Sequence, residues 1–103
     1  MPHIAIDYDK EKLRDFCRKW KITEFSLFGS VVREDFGPES DVDVMVTFEK
    51  GAPWTLFSLV HMEDKLAEIF RRPVDLCERP GVERSRNRYR RESILSSAVA
   101  LEL

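Results

Sequence analysis

Cysteine and histidine are scarce in this chain of 103 residues, and long apolar runs are missing altogether. The two cysteines, Cys17 and Cys77, have no metal-ligand spacing and sit among apolar neighbours, which excludes a disulfide scaffold or a thiolate metal cluster and predicts buried free thiols in a reducing cytosol. His3 lies at the terminus and His61 stands alone in a predicted helix, so neither reads as a ligand. No apolar stretch approaches the roughly eighteen residues of a membrane span. Met1-Pro2-His3-Ile4 is not a secretory signal either. These absences predict a cytoplasmic protein without a membrane partner. Repeats, low-complexity tracts and linkers are also missing, and the length predicts one domain, residues 1–103.

What is present is a core. Hydrophobic residues make up 43% of the chain and aromatics 11%, enough to fold without staples. The formal net charge of −2 conceals an asymmetry: residues 71–91 hold eight arginines against Asp75, Glu78 and Glu83, a local balance of +5, leaving −7 elsewhere. Arginine suits bidentate contact with phosphate or carboxylate. The run reads as a solvated face, a triphosphate-binding or acidic-partner surface, or, last, a nucleic-acid contact, because only Tyr89 interleaves it as a stacking aromatic.

The chemistry concentrates between Phe28 and Phe48. Gly29-Ser30 closes an apolar run, ten residues intervene, and Asp41-Val42-Asp43 opens a second run through Phe48. Strand side chains alternate, so Val42, Val44, Val46 and Phe48 share one apolar face while Asp41 and Asp43 share the other. Two like charges about 7 Å apart along a strand serve no packing purpose, and a cation between them relieves their repulsion. Mg²⁺ favours this donor type, bound through one or two carboxylates plus substrate phosphates. Gly29 lets the backbone turn tightly against a ligand, and a helix opening at residues 30–34 would turn its free N–H groups toward an anion. The Ser30 hydroxyl can add a hydrogen bond to phosphate; Arg33 can reach phosphate or remain a solvated helix residue.

A third acid, Asp75, sits in Pro73-Val74-Asp75-Leu76-Cys77, a predicted strand with Val74 and Leu76 turned inward. If it pairs beside residues 41–48, Asp75 joins Asp41 and Asp43, and three carboxylates around two metal ions permit in-line displacement at phosphorus. Asp75, from the neighbouring strand, is the candidate to accept a proton from an attacking hydroxyl. Each short motif alone is weak, and the plain alternative is a turn beside a charged strand edge.

Around these residues the spacing predicts a helix capped by Asp7 or Asp9 with Leu13, Phe16, Cys17 and Trp20 on one face, a strand over 22–28, a helical turn over 30–35, a loop over 37–40 and a strand over 42–48. A helix follows over 54–70, with Leu56, Leu59, Met62, Leu66, Ile69 and Phe70 as its apolar stripe and Thr55 or Ser58 near its start. Then come a strand over 74–77, a break at Arg79-Pro80-Gly81, and a last helix from Val82 or Asn87 to Ala100. The pattern predicts an α/β (α+β) fold, a small mixed sheet with helices packed on one face. No second domain is foreseen to grip an acceptor, so if the chain is a transferase its acceptor must be bound by another chain or must itself be a protein.

Phe28-Gly29-Ser30, Arg33, Ser40-Asp41-Val42-Asp43 and Val74-Asp75-Leu76 together resemble the minimal nucleotidyltransferase family of the polymerase-beta-like superfamily. Ile94-Leu95 and Ala98-Val99 resemble that family's closing helix. One departure is acidic: Arg33 is followed by Glu34-Asp35-Phe36-Gly37, where members often carry a small residue and glycine. The resemblance implies Mg²⁺ (two ions), ATP as substrate, and AMP transfer to a hydroxyl with release of pyrophosphate. It assigns Gly29, Ser30 and Arg33 to nucleotide binding, and Asp41, Asp43 and Asp75 to metal binding and catalysis. It further implies an antitoxin that adenylylates a tyrosine of a helical HEPN-type ribonuclease toxin. Two other readings stay open: an antitoxin acting by stoichiometric binding, and the catalytic subunit of a small-molecule (aminoglycoside-type) nucleotidyltransferase. Self-association is open as well.

Overall fold

The computed structural model describes residues 7–32, 37 and 40–103. Helix α1 (Lys10–Lys19) is capped by Asp9, whose carboxylate accepts a hydrogen bond from the Lys12 N–H at 3.1 Å. Glu11 in its first turn and Arg18 and Lys19 in its last complement the helix dipole. Strands β1 (Ile22–Phe28) and β2 (Val42–Phe48) have the bounds read from the sequence. A four-residue 3₁₀ turn, Gly29–Val32, follows β1.

Helix α2 (Leu56–Phe70) begins two residues later than the sequence predicts. Thr55 takes the cap position, and its hydroxyl and that of Ser58 satisfy each other's backbone N–H groups. Trp54 is thereby left outside the helix, where its indole Nε1 donates to the Trp20 carbonyl at 2.7 Å and its ring packs edge-on against Trp20. Leu56 leaves the predicted stripe and is 79% exposed. At 100° per residue it lies about 120° around the helix from Met62, so when Met62, Leu66 and Phe70 face the sheet Leu56 cannot.

Strand β3 (Val74–Glu78) comes next, and the predicted break at Arg79-Pro80-Gly81 is instead a short helix, α3 (Arg79–Glu83). Proline is compatible with a first helical turn, where its missing N–H has no partner to lose. Helix α4 (Arg88–Ser97), capped by Asn87, ends before the predicted Ala100. Its place is taken by β4 (Val99–Ala100), which pairs with Ser26 and Leu27, while the Leu101 N–H donates to the Phe25 carbonyl at 2.9 Å. The open edge of β1 has backbone groups to satisfy, and that demand outweighs one more helical turn.

The sheet has the order β3-β2-β1-β4, parallel between β2 and β3 and antiparallel elsewhere. One face carries Phe25, Leu27, Val42, Val44 and Val46, and α1 and α2 bury Leu13, Phe16, Met62, Leu66 and Phe70 against it. Of the helices expected on one face, α1 and α2 lie there. Helices α3 and α4 cover part of the other face instead, where Val82 and Ile94 pack on Phe28 and Met45. At the β3 edge the Glu63 carboxylate accepts from the Leu76 N–H at 3.0 Å, blunting an open strand. Among the described residues no helix is long and apolar enough to cross a membrane.

Candidate active site

Register brings the acids together. Phe28 stands opposite Asp43 across β1 and β2, and Asp43 opposite Asp75 across β2 and β3. Paired residues share a face, with strands about 4.8 Å apart. Because β1 ends at Phe28, Gly29 begins its turn directly beside the Asp43 carboxylate. Its backbone is left-handed at φ +72°, and a Cβ on it would collide with the Asp43 side chain. Conformation and space therefore both demand glycine here.

Gly29, Asp43 and Asp75 line one side of a cleft of about 260 Å³, and Arg90, Ser93 and Ser97 of α4 line another. Larger clefts elsewhere, about 420 and 570 Å³, are lined by intermingled acids and bases with no comparable strand-paired carboxylates. Asp75 is exposed and Asp43 half-buried, so both are open to a ligand.

The remaining predicted site residues are placed differently. Asp41 precedes the first residue of β2, is exposed, and does not line the cleft. Among the described residues no group of three or more His, Cys, Asp or Glu is arranged to hold a metal ion. Asp41 lies just before the paired stretch of β2 that aligns Asp43 with Asp75. Ser30 lies in the 3₁₀ turn and does not line the cleft. Arg33 and the acidic loop residues 34–36 lie outside the described residues. The donor set still suits Mg²⁺ carried on a phosphate: two hard carboxylates from the protein, the other oxygens from substrate and water.

Two arginines of the basic run acquire roles that composition could not assign. The Arg72 Nη1 donates to the Gly37 carbonyl at 2.8 Å and the Ser40 carbonyl at 3.3 Å, tying down the segment that leads into Asp41. Its position beside Pro73, whose carbonyl accepts from the Val42 N–H, was the available signal. Arg90, Ser93 and Ser97 recur at helical spacing, which could have marked one face of α4.

Cys77 follows Asp75 by two residues and so shares its face. Burial, reinforced by Asp75 and Asp43 and opposed by Arg90, pushes its thiol up to about 11. It stays protonated at neutral pH and is no nucleophile.

The nucleotidyltransferase domain family matches residues 10–101. Among relatives, two proteins of Methanocaldococcus jannaschii named as candidate protein adenylyltransferases are similar to this chain. One is 29% identical over 76 residues, 74% of this chain and 72% of its own. The other is 31% identical over 85 residues, 82% of this chain and 79% of its own. A solved structure described as a candidate minimal nucleotidyltransferase superposes with a TM-score of 0.67 at 28% identity, covering 88% of this chain and 87% of that one. A toxin–antitoxin crystal structure with AMP-PNP shares the fold, with a TM-score of 0.69 at 21% identity over 91% of this chain and 73% of that one. The matched span contains all four strands and the whole carboxylate cleft, and the chain belongs to the nucleotidyltransferase domain family.

Proposed function

We propose that this nucleotidyltransferase transfers AMP from ATP to a hydroxyl of a partner protein, a tyrosine of a cognate HEPN-type toxin, and so acts as its antitoxin. The observation that carries the reading is the pairing of Asp43 with Asp75 beside Gly29. Relatives named for protein adenylylation support the reaction, and toxin–antitoxin structures of the same fold support the setting.

In this reading the acceptor oxygen bonds to the α-phosphorus, the bond from that phosphorus to the β-bridging oxygen breaks, and pyrophosphate leaves. Asp75 takes the hydroxyl proton. Asp43 and Asp75 would hold the Mg²⁺ of MgATP, with Asp41 the further carboxylate for a second ion. Bound there, Mg²⁺ would offset the negative charge that gathers on the leaving pyrophosphate. Gly29, having no side chain, lets the phosphates approach the backbone beside Asp43, and Ser30 and Arg33 extend the nucleotide contacts.

The test is mass spectrometry of the purified partner after incubation with ATP and Mg²⁺. An added AMP on tyrosine is expected with the wild type and none with Asp43→Asn; equal modification by the variant would refute the assignment. A second reading, neutralisation by stoichiometric binding, draws on exposed Leu56, Phe57 and Val60 of α2, an apolar surface without a role in the cleft. Neutralisation without nucleotide, lost on Phe57→Ser and kept on Asp43→Asn, would favour it.

A further inference from the structure

We infer that Arg90 is the side chain that grips the β- and γ-phosphates of the bound triphosphate; this rests on the nucleotidyl-transfer reading above. The guanidinium lines the same cleft as Asp43, Asp75 and Gly29. Among the described residues it forms no hydrogen bond and no ion pair, although two carboxylates line that cleft with it. Its neighbours on α4 are engaged: Arg88 with Glu92 at 3.0 Å, and Arg91 with the Ser85 carbonyl at 2.8 Å. Arg90 is thus a cationic group held at the site with its donors free.

Its reach toward the carboxylate strands shows in the adjoining cleft, which Arg90 lines together with Cys77 of β3. The α4 backbone fixes where the stem starts: Asn87 caps the Arg90 N–H at 3.1 Å, and Ile94, one turn on, is buried against Phe28 and Met45. The chemistry of the occupant follows from the charges. Asp43 and Asp75 repel a bare anion, and Arg90 repels a bare cation, so the cleft suits a cation-bound polyanion touching both sides. A triphosphate with a divalent ion is such a ligand. AMP lacks the outer phosphates and would leave Arg90 without a partner. A guanidinium fork also stabilises the charge that builds on pyrophosphate as the bond breaks.

The test is calorimetric binding of MgATP, AMP and Mg²⁺-tripolyphosphate to wild-type protein, Arg90→Ala, Arg90→Lys and, as a control for general charge, Arg86→Ala. Arg86 is exposed on the same basic run and does not line the cleft. Arg90→Ala is expected to weaken MgATP and tripolyphosphate about tenfold or more, the scale of a lost charge-assisted contact, with AMP affinity unchanged. Arg90→Lys recovers part of the loss, and Arg86→Ala changes binding less than twofold. Thermal melts show whether each variant remains folded. Unchanged MgATP affinity in folded Arg90→Ala overturns the inference while leaving the transfer reading intact. Equal losses for AMP and ATP, or in Arg86→Ala, overturn it too. No MgATP uptake by the wild type would remove the transfer reading itself, and the role of Arg90 with it.

Discussion

The two faces of the sheet are made from the same strands and are built for opposite ends. Toward α1 and α2 they present Leu27, Val42, Val44 and Val46, each no more than 1% exposed, in the larger core. Toward α4 they present Asp43, Asp75 and Cys77 around a smaller apolar cluster of Phe28, Met45, Val82 and Ile94. Within β2, Asp43 thus faces the cleft while its neighbours Val42 and Val44 hold the larger core. The first face stabilises by removing apolar surface from water. The second keeps like charges adjacent, a destabilising arrangement that a bound cation reverses.

Substitutions on the two faces should therefore separate cleanly. The largest effect expected on the carboxylate face is on chemistry: Asp75→Asn lowers AMP transfer at least about a hundredfold while its thermal melt stays at or above that of the wild type. On the opposite face, Leu66→Ala costs about 2–5 kcal/mol of stability through the cavity it leaves, measured by denaturant titration. If Asp75→Asn unfolded as readily as Leu66→Ala, the division between the faces would be wrong. Gly29→Ala belongs to both: the left-handed backbone costs roughly 1–2 kcal/mol, and the displaced Asp43 side chain takes MgATP affinity down with it, so calorimetry and melting should fall together.

The thiols sharpen the comparison further, because one lies beside each face. Burial pushes both Cys17 and Cys77 up to about 11. Their folded-state values exceed the ordinary thiol value of 9.0, so the native protein holds protons that the unfolded chain releases. Stability is therefore full below pH 9 and declines as pH rises toward 11. Cys17→Ser and Cys77→Ser, compared by melts at pH 8 and pH 10.5, should each flatten part of that decline. The smallest effect is at the end of α2. Arg71 is exposed in a left-handed conformation, φ +58°, so Arg71→Gly should stabilise by about 0.5–1 kcal/mol in the same titration.

Strand β2 was legible because apolar residues alternate from Val42 to Phe48 until Lys50-Gly51 stops them, and β1 because an apolar run from Phe25 to Phe28 ends at Gly29. Asp43 and Asp75 were legible for the same reason: each is flanked by inward-facing apolar residues, so its side of the strand is determined. Asp41 has no such constraint on its amino-terminal side, and it lies outside the cleft. Val99-Ala100 reads as helix on local pattern alone, since nothing in those two residues reports the unsatisfied edge of β1. Arg90 was one of eight arginines, set apart in the sequence only by its helical spacing with Ser93 and Ser97.

By itself, the order of residues determined which side chains share a face and where chain direction must change, since both follow from backbone geometry within a few positions. Tertiary structure alone decided which strand neighbours β2, which helix closes over the acids, and which arginine lines the cleft beside them. Those outcomes depend on contacts between residues tens of positions apart, where local propensity carries no information and the competition among burial, strand pairing and charge is settled only once the whole sheet has formed.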